Sequence, residues 1–202
     1  MNAPVPRRNG FRMSAFARLI PLPGTIATIV TIATIPTLGG CEQRVARAPS
    51  HDVARVRGAH HACLEQAEVE ACALACDGGE VQSCTELGRI YELGLNVTRD
   101  VTGAAALYRK ACDGGDMSGC YSAAYVLENG IAGRRDANCA LAMYKYACDG
   151  GETRGCMMAG FMYRAGIDVK RDDAGAAAAF KKACEAGYDA GCQQLKAVTT
   201  PE

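Results

Sequence analysis

Four cysteine pairs impose a period on this chain. Cys76 and Cys84, Cys112 and Cys120, Cys148 and Cys156, and Cys184 and Cys192 are each eight positions apart, and each pair lies 36 residues from the next. A second framework repeats at the same interval. Gly94, Gly130 and Gly166 are followed by Asp100, Asp136 and Asp172, then by Ala104, Ala140 and Ala176. Tyr108, Tyr144 and Phe180 coincide next, and after them Ala111, Ala147 and Ala183. Self-similarity at this period is the mark of a repeat protein, and apolar positions at helical spacing make each unit helical.

Cysteines eight apart in one straight helix would stand about 12 Å from each other, well beyond the reach of a disulfide. The Asp-Gly-Gly at 77–79, 113–115 and 149–151, and Glu185-Ala186-Gly187 in the last copy, end a helix and allow left-handed backbone. The chain then turns back and brings each pair together. Glu80, Asp116, Glu152 and Asp189 fall at the next helix start, where a carboxylate meets exposed amides. Each unit therefore reads as helix, tight turn, helix, braced by a bridge worth about 2.5 kcal/mol for a loop of this length.

Zinc is the competing use of cysteine, but it favours close pairs such as Cys-x-x-Cys, which this chain lacks. His60, His61, Cys63 and Cys72 form the one cluster where a metal or haem could sit, and they read as exposed cap histidines beside cysteines of unassigned pairing. Cys63, Cys72 and Cys139 remain after the four pairs and Cys41, so one of the three is expected to lack a partner within the chain. Cys139 stands where neighbouring copies have Gly103 and Gly175, as a small packing residue would. No cofactor is expected.

Residues 1–40 carry Arg7, Arg8, Arg12 and Arg18 and no acid, followed by an uncharged run from Leu19 to Leu38, as in an export signal. Pro21, Pro23 and Pro36 make that run a poor membrane-spanning helix. Leu38-Gly39-Gly40-Cys41 resembles the bacterial lipobox, which implies lipidation of Cys41 and anchorage to a membrane. Residues 41–58 then supply the lipidated N-terminus, a tether and a degenerate cap, with His51 and Arg55 where the repeat has Leu87 and Tyr91. Glu42 after the lipobox cysteine points, by the same resemblance, to the outer membrane on its periplasmic side. Without the four early arginines, 18 of the 22 basic residues face 22 acidic ones. That excess of negative charge argues against nucleic acid as a partner.

The string "LGRIYELG" followed by "AAALYRKACDGG" resembles the Sel-one-like repeat, a relative of the tetratricopeptide repeat, in its cysteine-rich subtype. The resemblance covers residues 59–202 and implies an all-α fold, an α/α solenoid of about four 36-residue repeats with a concave binding surface. The family's usual work is holding proteins together, so the chain is expected to be an envelope-anchored scaffold for a protein or peptide rather than an enzyme. Cysteine-rich members have been described as β-lactamase-like or penicillin-binding. That reading, and a metal or haem carrier, are the alternatives. No serine here has lysine three residues later, and no histidine follows His61, so neither β-lactamase chemistry nor a Ser-His-Asp site finds its residues in the repeats.

Framework positions recur, whereas recognition positions are free to differ. Cys120, Ala123, Ala124 and Leu127 share the core side of their helix. The opposite side changes from Thr85, Glu86 and Arg89 to Tyr121, Ser122 and Tyr125, then to Met157, Met158 and Phe161. The expected partner-binding surface is therefore Tyr121, Tyr125, Met157 and Phe161, flanked by Arg89 and Arg154. Packing of these residues against the next repeat is the alternative.

Overall fold

A computed structural model of the protein describes residues 58–63 and 68–200. The signal, Cys41 and the tether fall outside the described residues. Residues 58–63 are helical (α1). Eight helices follow: α2 (Val69–Asp77), α3 (Val81–Leu93), α4 (Val101–Asp113), α5 (Met117–Asn129), α6 (Ala137–Asp149), α7 (Thr153–Ala165), α8 (Asp173–Glu185) and α9 (Asp189–Thr199). From α2 onward each helix packs on its neighbours in sequence, α3 also reaches α5, and α6 reaches α8. This is the expected α/α solenoid, with no strand among the described residues.

Local chemistry starts and stops the helices at the positions the repeat marks. Asp100, Asp136 and Asp172 are N-caps whose carboxylates accept from the amides of Gly103, Cys139 and Gly175. Such a cap satisfies amide donors that would otherwise be orphaned. At the other end, Gly94, Gly130 and Gly166 close α3, α5 and α7 with φ of 69°, 64° and 63°, the left-handed region where a side chain is strained.

Five disulfides brace the turns. The four expected pairs form, with Cα separations of 4.6 Å at Cys76–Cys84, 4.3 Å at Cys112–Cys120, 4.5 Å at Cys148–Cys156 and 4.6 Å at Cys184–Cys192. The fifth joins Cys63 to Cys72. The expectation of an unpartnered cysteine is thereby corrected: Cys63 and Cys72 hold each other, and none of the described cysteines, Cys139 included, is a free thiol. Cys139 is buried at the first turn of α6 and is itself disulfide-bonded, so the reading of it as only a small packing residue is corrected too.

The ring row Tyr108, Tyr144 and Phe180 forms the spine of the core, each at most 2% exposed. A buried phenol needs an acceptor. Tyr108 donates to Glu92 at 2.6 Å and Tyr144 to Glu128 at 2.9 Å, each across one repeat. Burial first, and the adjacent carboxylate second, push both phenols well above the usual tyrosine range. In the third copy the ring is Phe180, which needs no acceptor, and Arg164 stands in the carboxylate's slot and donates to Gln194 instead.

Salt bridges at another fixed offset link successive units. Lys110 pairs with Asp77 and Lys182 with Asp149, each spanning 33 residues. In the copy between them Tyr146 replaces the lysine. Its Asp113 has no lysine across the repeat, and desolvation pushes that carboxyl up despite nearby Arg109.

Candidate partner-binding surface

The outward row of α3, α5 and α7 follows directly from the period, because Arg89, Tyr125 and Phe161 occupy one slot 36 residues apart. Tyr125 is 41% exposed and Phe161 39%, and among the six large hydrophobic residues exposed in the described part they are the two that share one slot in successive repeats. Phe161 sets its ring at 68° to that of Phe180, with centroids 5.3 Å apart, so one face is anchored and the rest is open.

Tyr121 is half-buried, its ring 5.7 Å from Tyr144 and inside the central core cluster. The Arg154 guanidinium lies 4.4 Å from the Tyr121 ring centroid, a cation–π contact. The same arginine donates to Glu152 at 2.8 Å, and the Ser118 hydroxyl donates to that carboxylate at 2.9 Å. Arg154, first of these, holds the Glu152 carboxyl below its usual range. Arg89 is likewise paired, with Glu86 three residues before it.

Two parts of the expected surface are corrected. Met157 is buried and packs with Cys148, Cys156 and Phe180. It belongs to the core, in the cluster around the Cys148–Cys156 bridge and Phe180. Arg89 and Arg154 are also not bare flanking charges, since each is neutralised by a carboxylate on its own helix or cap. What stays presented is Tyr125 and Phe161, with Arg154 lying over Tyr121 at their side.

The N-terminal cluster is reorganised too. Cys63 and Cys72 are consumed by their bond, and a disulfide sulfur is not a thiolate ligand. His60 Nδ1 and Ser83 Oγ share a hydrogen bond of 2.7 Å, so His60 faces inward instead of being an exposed cap residue. Ser83 occupies the slot of Gly119, Gly155 and Gly191, and its buried hydroxyl requires that partner. The pair has the elements of a nucleophile and base, but Ser83 has no exposed surface for a substrate to approach. Among the described residues no three histidine, cysteine or acidic side chains converge as metal ligands would.

The family model of the Sel1 repeat matches residues 81–116, 118–152 and 153–188, which are α3–α4, nearly all of α5 with α6, and α7–α8. The chain belongs to the Sel1 repeat family. Among solved structures, this Sel1 repeat chain is similar to c5321, a protective antigen of uropathogenic Escherichia coli with an SLR fold, at a TM-score of 0.64 and 20% identity. That match covers 71% of this chain and 32% of the antigen. A Sel1 repeat protein from Oxalobacter formigenes superposes with a TM-score of 0.63 at 17% identity, over 72% of this chain and 59% of its own. Cysteine rich protein B of Helicobacter pylori gives 0.50 at 26% identity, over 72% of this chain and 98% of its own. The chain thus spans about a third and about three fifths of the first two structures. No curated protein matches the sequence.

Proposed function

We propose that this Sel1 repeat protein is an exported, lipid-anchored scaffold that holds a protein or peptide partner on the row containing Tyr125 and Phe161. One observation carries the reading: while the framework positions recur every 36 residues, the Arg89, Tyr125 and Phe161 slot varies, and in two successive copies it holds an exposed aromatic ring. Rings that are large, rigid and half-exposed are what anchors a bound partner. The helices bearing them are those that would line the concave face of such a solenoid.

Partners are captured by crosslinking in cells expressing the protein, and the affinity of the recovered partner is then measured with the Tyr125→Ala, Phe161→Ala double variant. We expect a loss of about 2 kcal/mol in binding with a nearly unchanged melting temperature. Unchanged affinity, or melting lowered by many degrees, would show that these rings serve packing and that the proposed surface is wrong.

Anchorage rests on the sequence Leu38-Gly39-Gly40-Cys41 and on the bridges, which persist in oxidising compartments outside the cytoplasm. Among the described residues no helix is long and apolar enough to cross a membrane. Mass spectrometry of the membrane fraction should find a mature N-terminus at acyl-modified Cys41, and Cys41→Ser should release the protein into the soluble fraction. An unmodified Cys41 in the mature chain would refute the anchor.

A further inference from the structure

We propose a second interaction surface, distinct from the aromatic row: the groove bounded by α4, α5 and α6 is a docking site for an acidic peptide segment with an aliphatic anchor side chain. Ala105, Ala123, Leu127 and Met143 line a cavity of about 110 Å³, with Arg109 and Arg134 at its edges and no carboxylate in its lining. That volume suits one aliphatic side chain, and two guanidinium forks beside it suit carboxylates on the residues flanking that side chain.

The arginines themselves single the groove out. Of the eight among the described residues, six hold a hydrogen-bond acceptor. Arg89, Arg154 and Arg171 take carboxylates, Arg99 and Arg135 take main-chain carbonyls, and Arg164 takes a side-chain amide. Arg109 and Arg134 alone make neither a hydrogen bond nor an ion pair within 4.0 Å, although Arg109 stands near enough to Asp113 to favour its charged form. Two arginines with no hydrogen-bonded acceptor and no close ion pair, on the walls of one apolar cavity, form a site complementary to an anion.

The equivalent groove one repeat later is a control supplied by the fold. It is bounded by α6, α7 and α8 and is larger, about 240 Å³, but it is already neutralised. Lys145 replaces Arg109 and lies 5.9 Å from the Tyr163 ring centroid, while Lys182 is paired with Asp149, and Asp172 joins the lining. The same backbone geometry thus yields an anion-seeking groove in one copy only. A polyphosphate has nothing to place against the apolar wall of Ala105, Ala123, Leu127 and Met143, whereas a short acidic peptide with an aliphatic side chain fills it and meets both guanidinium groups.

The test is fluorescence anisotropy of a labelled Glu-Asp-Leu-Asp-Glu peptide added to the mature chain with its bridges intact. Saturable binding that weakens at about 0.5 M salt is expected, with about tenfold or greater loss in the Arg109→Gln, Arg134→Gln double variant and on replacing the peptide's leucine by glycine. The Tyr125→Ala, Phe161→Ala variant should bind this peptide normally, so failure of either surface is read separately. Absence of saturable binding, equal binding by the arginine variant, equal binding of the glycine peptide, or equally tight binding of a single-stranded oligonucleotide would each overturn the proposal. Sedimentation showing paired copies that the arginine substitutions dissociate would overturn it as well, by making a second copy the occupant.

Discussion

Complete reduction of the bridges is expected to unfold the helical array and not merely to loosen it. Each disulfide closes a loop of about nine residues and removes about 2.5 kcal/mol of freedom from the unfolded chain. Five such contributions approach the whole stability of an ordinary domain, about 5 to 15 kcal/mol. The core has little with which to compensate, because much of it is alanine and cysteine and the chain has four phenylalanines and no tryptophan. Circular dichroism under a reductant, with thiol titration to verify full reduction, should show loss of helix. The Cys112→Ala, Cys120→Ala double variant should lose about 2.5 kcal/mol on its own. A fully reduced chain that keeps its helical signal and melting temperature would make the bridges accessory.

The second large effect is expected at the central ring. Tyr144→Ala should cost about 3 to 5 kcal/mol, since it empties a fully buried site in the largest core cluster. Tyr144→Phe should cost only about 1 kcal/mol, because Glu128 is partly exposed and can return to water. The chain already contains the apolar version in Phe180, where the matching carboxylate has become Arg164. Chemical denaturation of the two variants decides the matter. If phenylalanine proves as damaging as alanine, the Tyr144–Glu128 hydrogen bond and not the packed ring sustains the repeat.

The helices, their caps and four bridges were legible because each depends on residues within one period: an aspartate before a helix, a glycine after it, cysteines on either side of a turn. The Cys63–Cys72 bond was not, because its nine-residue spacing and the absence of Asp-Gly-Gly set it outside the period. The candidate surface was half legible. Helical periodicity identifies which residues share a side, so Tyr125 and Phe161 were found exposed. It carries no information on what lies across from that side, and the packing of Met157 with Cys148, Cys156 and Phe180 buries it. The partners of Arg89 and Arg154 were missed for a related reason, since a charge counted alone in a sequence looks free until a nearby carboxylate is placed beside it. The groove beside Arg109 draws on three helices and a loop, a combination no single stretch of sequence displays.

The five disulfides whose two cysteines are both among the described residues close disjoint loops, none enclosing or crossing another, and Cys139 is disulfide-bonded outside this set. Eight cysteines alone permit about 105 pairings, and the number climbs steeply with more. In these five bridges each correct partner is the nearest one across a turn, and a segment of about ten residues closes in about 10 to 100 ns, far faster than distant segments meet. Oxidation can therefore proceed hairpin by hairpin in the order the chain emerges, each hairpin completed without reference to any other. These five bridges call for an oxidant, but among themselves they leave almost nothing for a disulfide isomerase to correct.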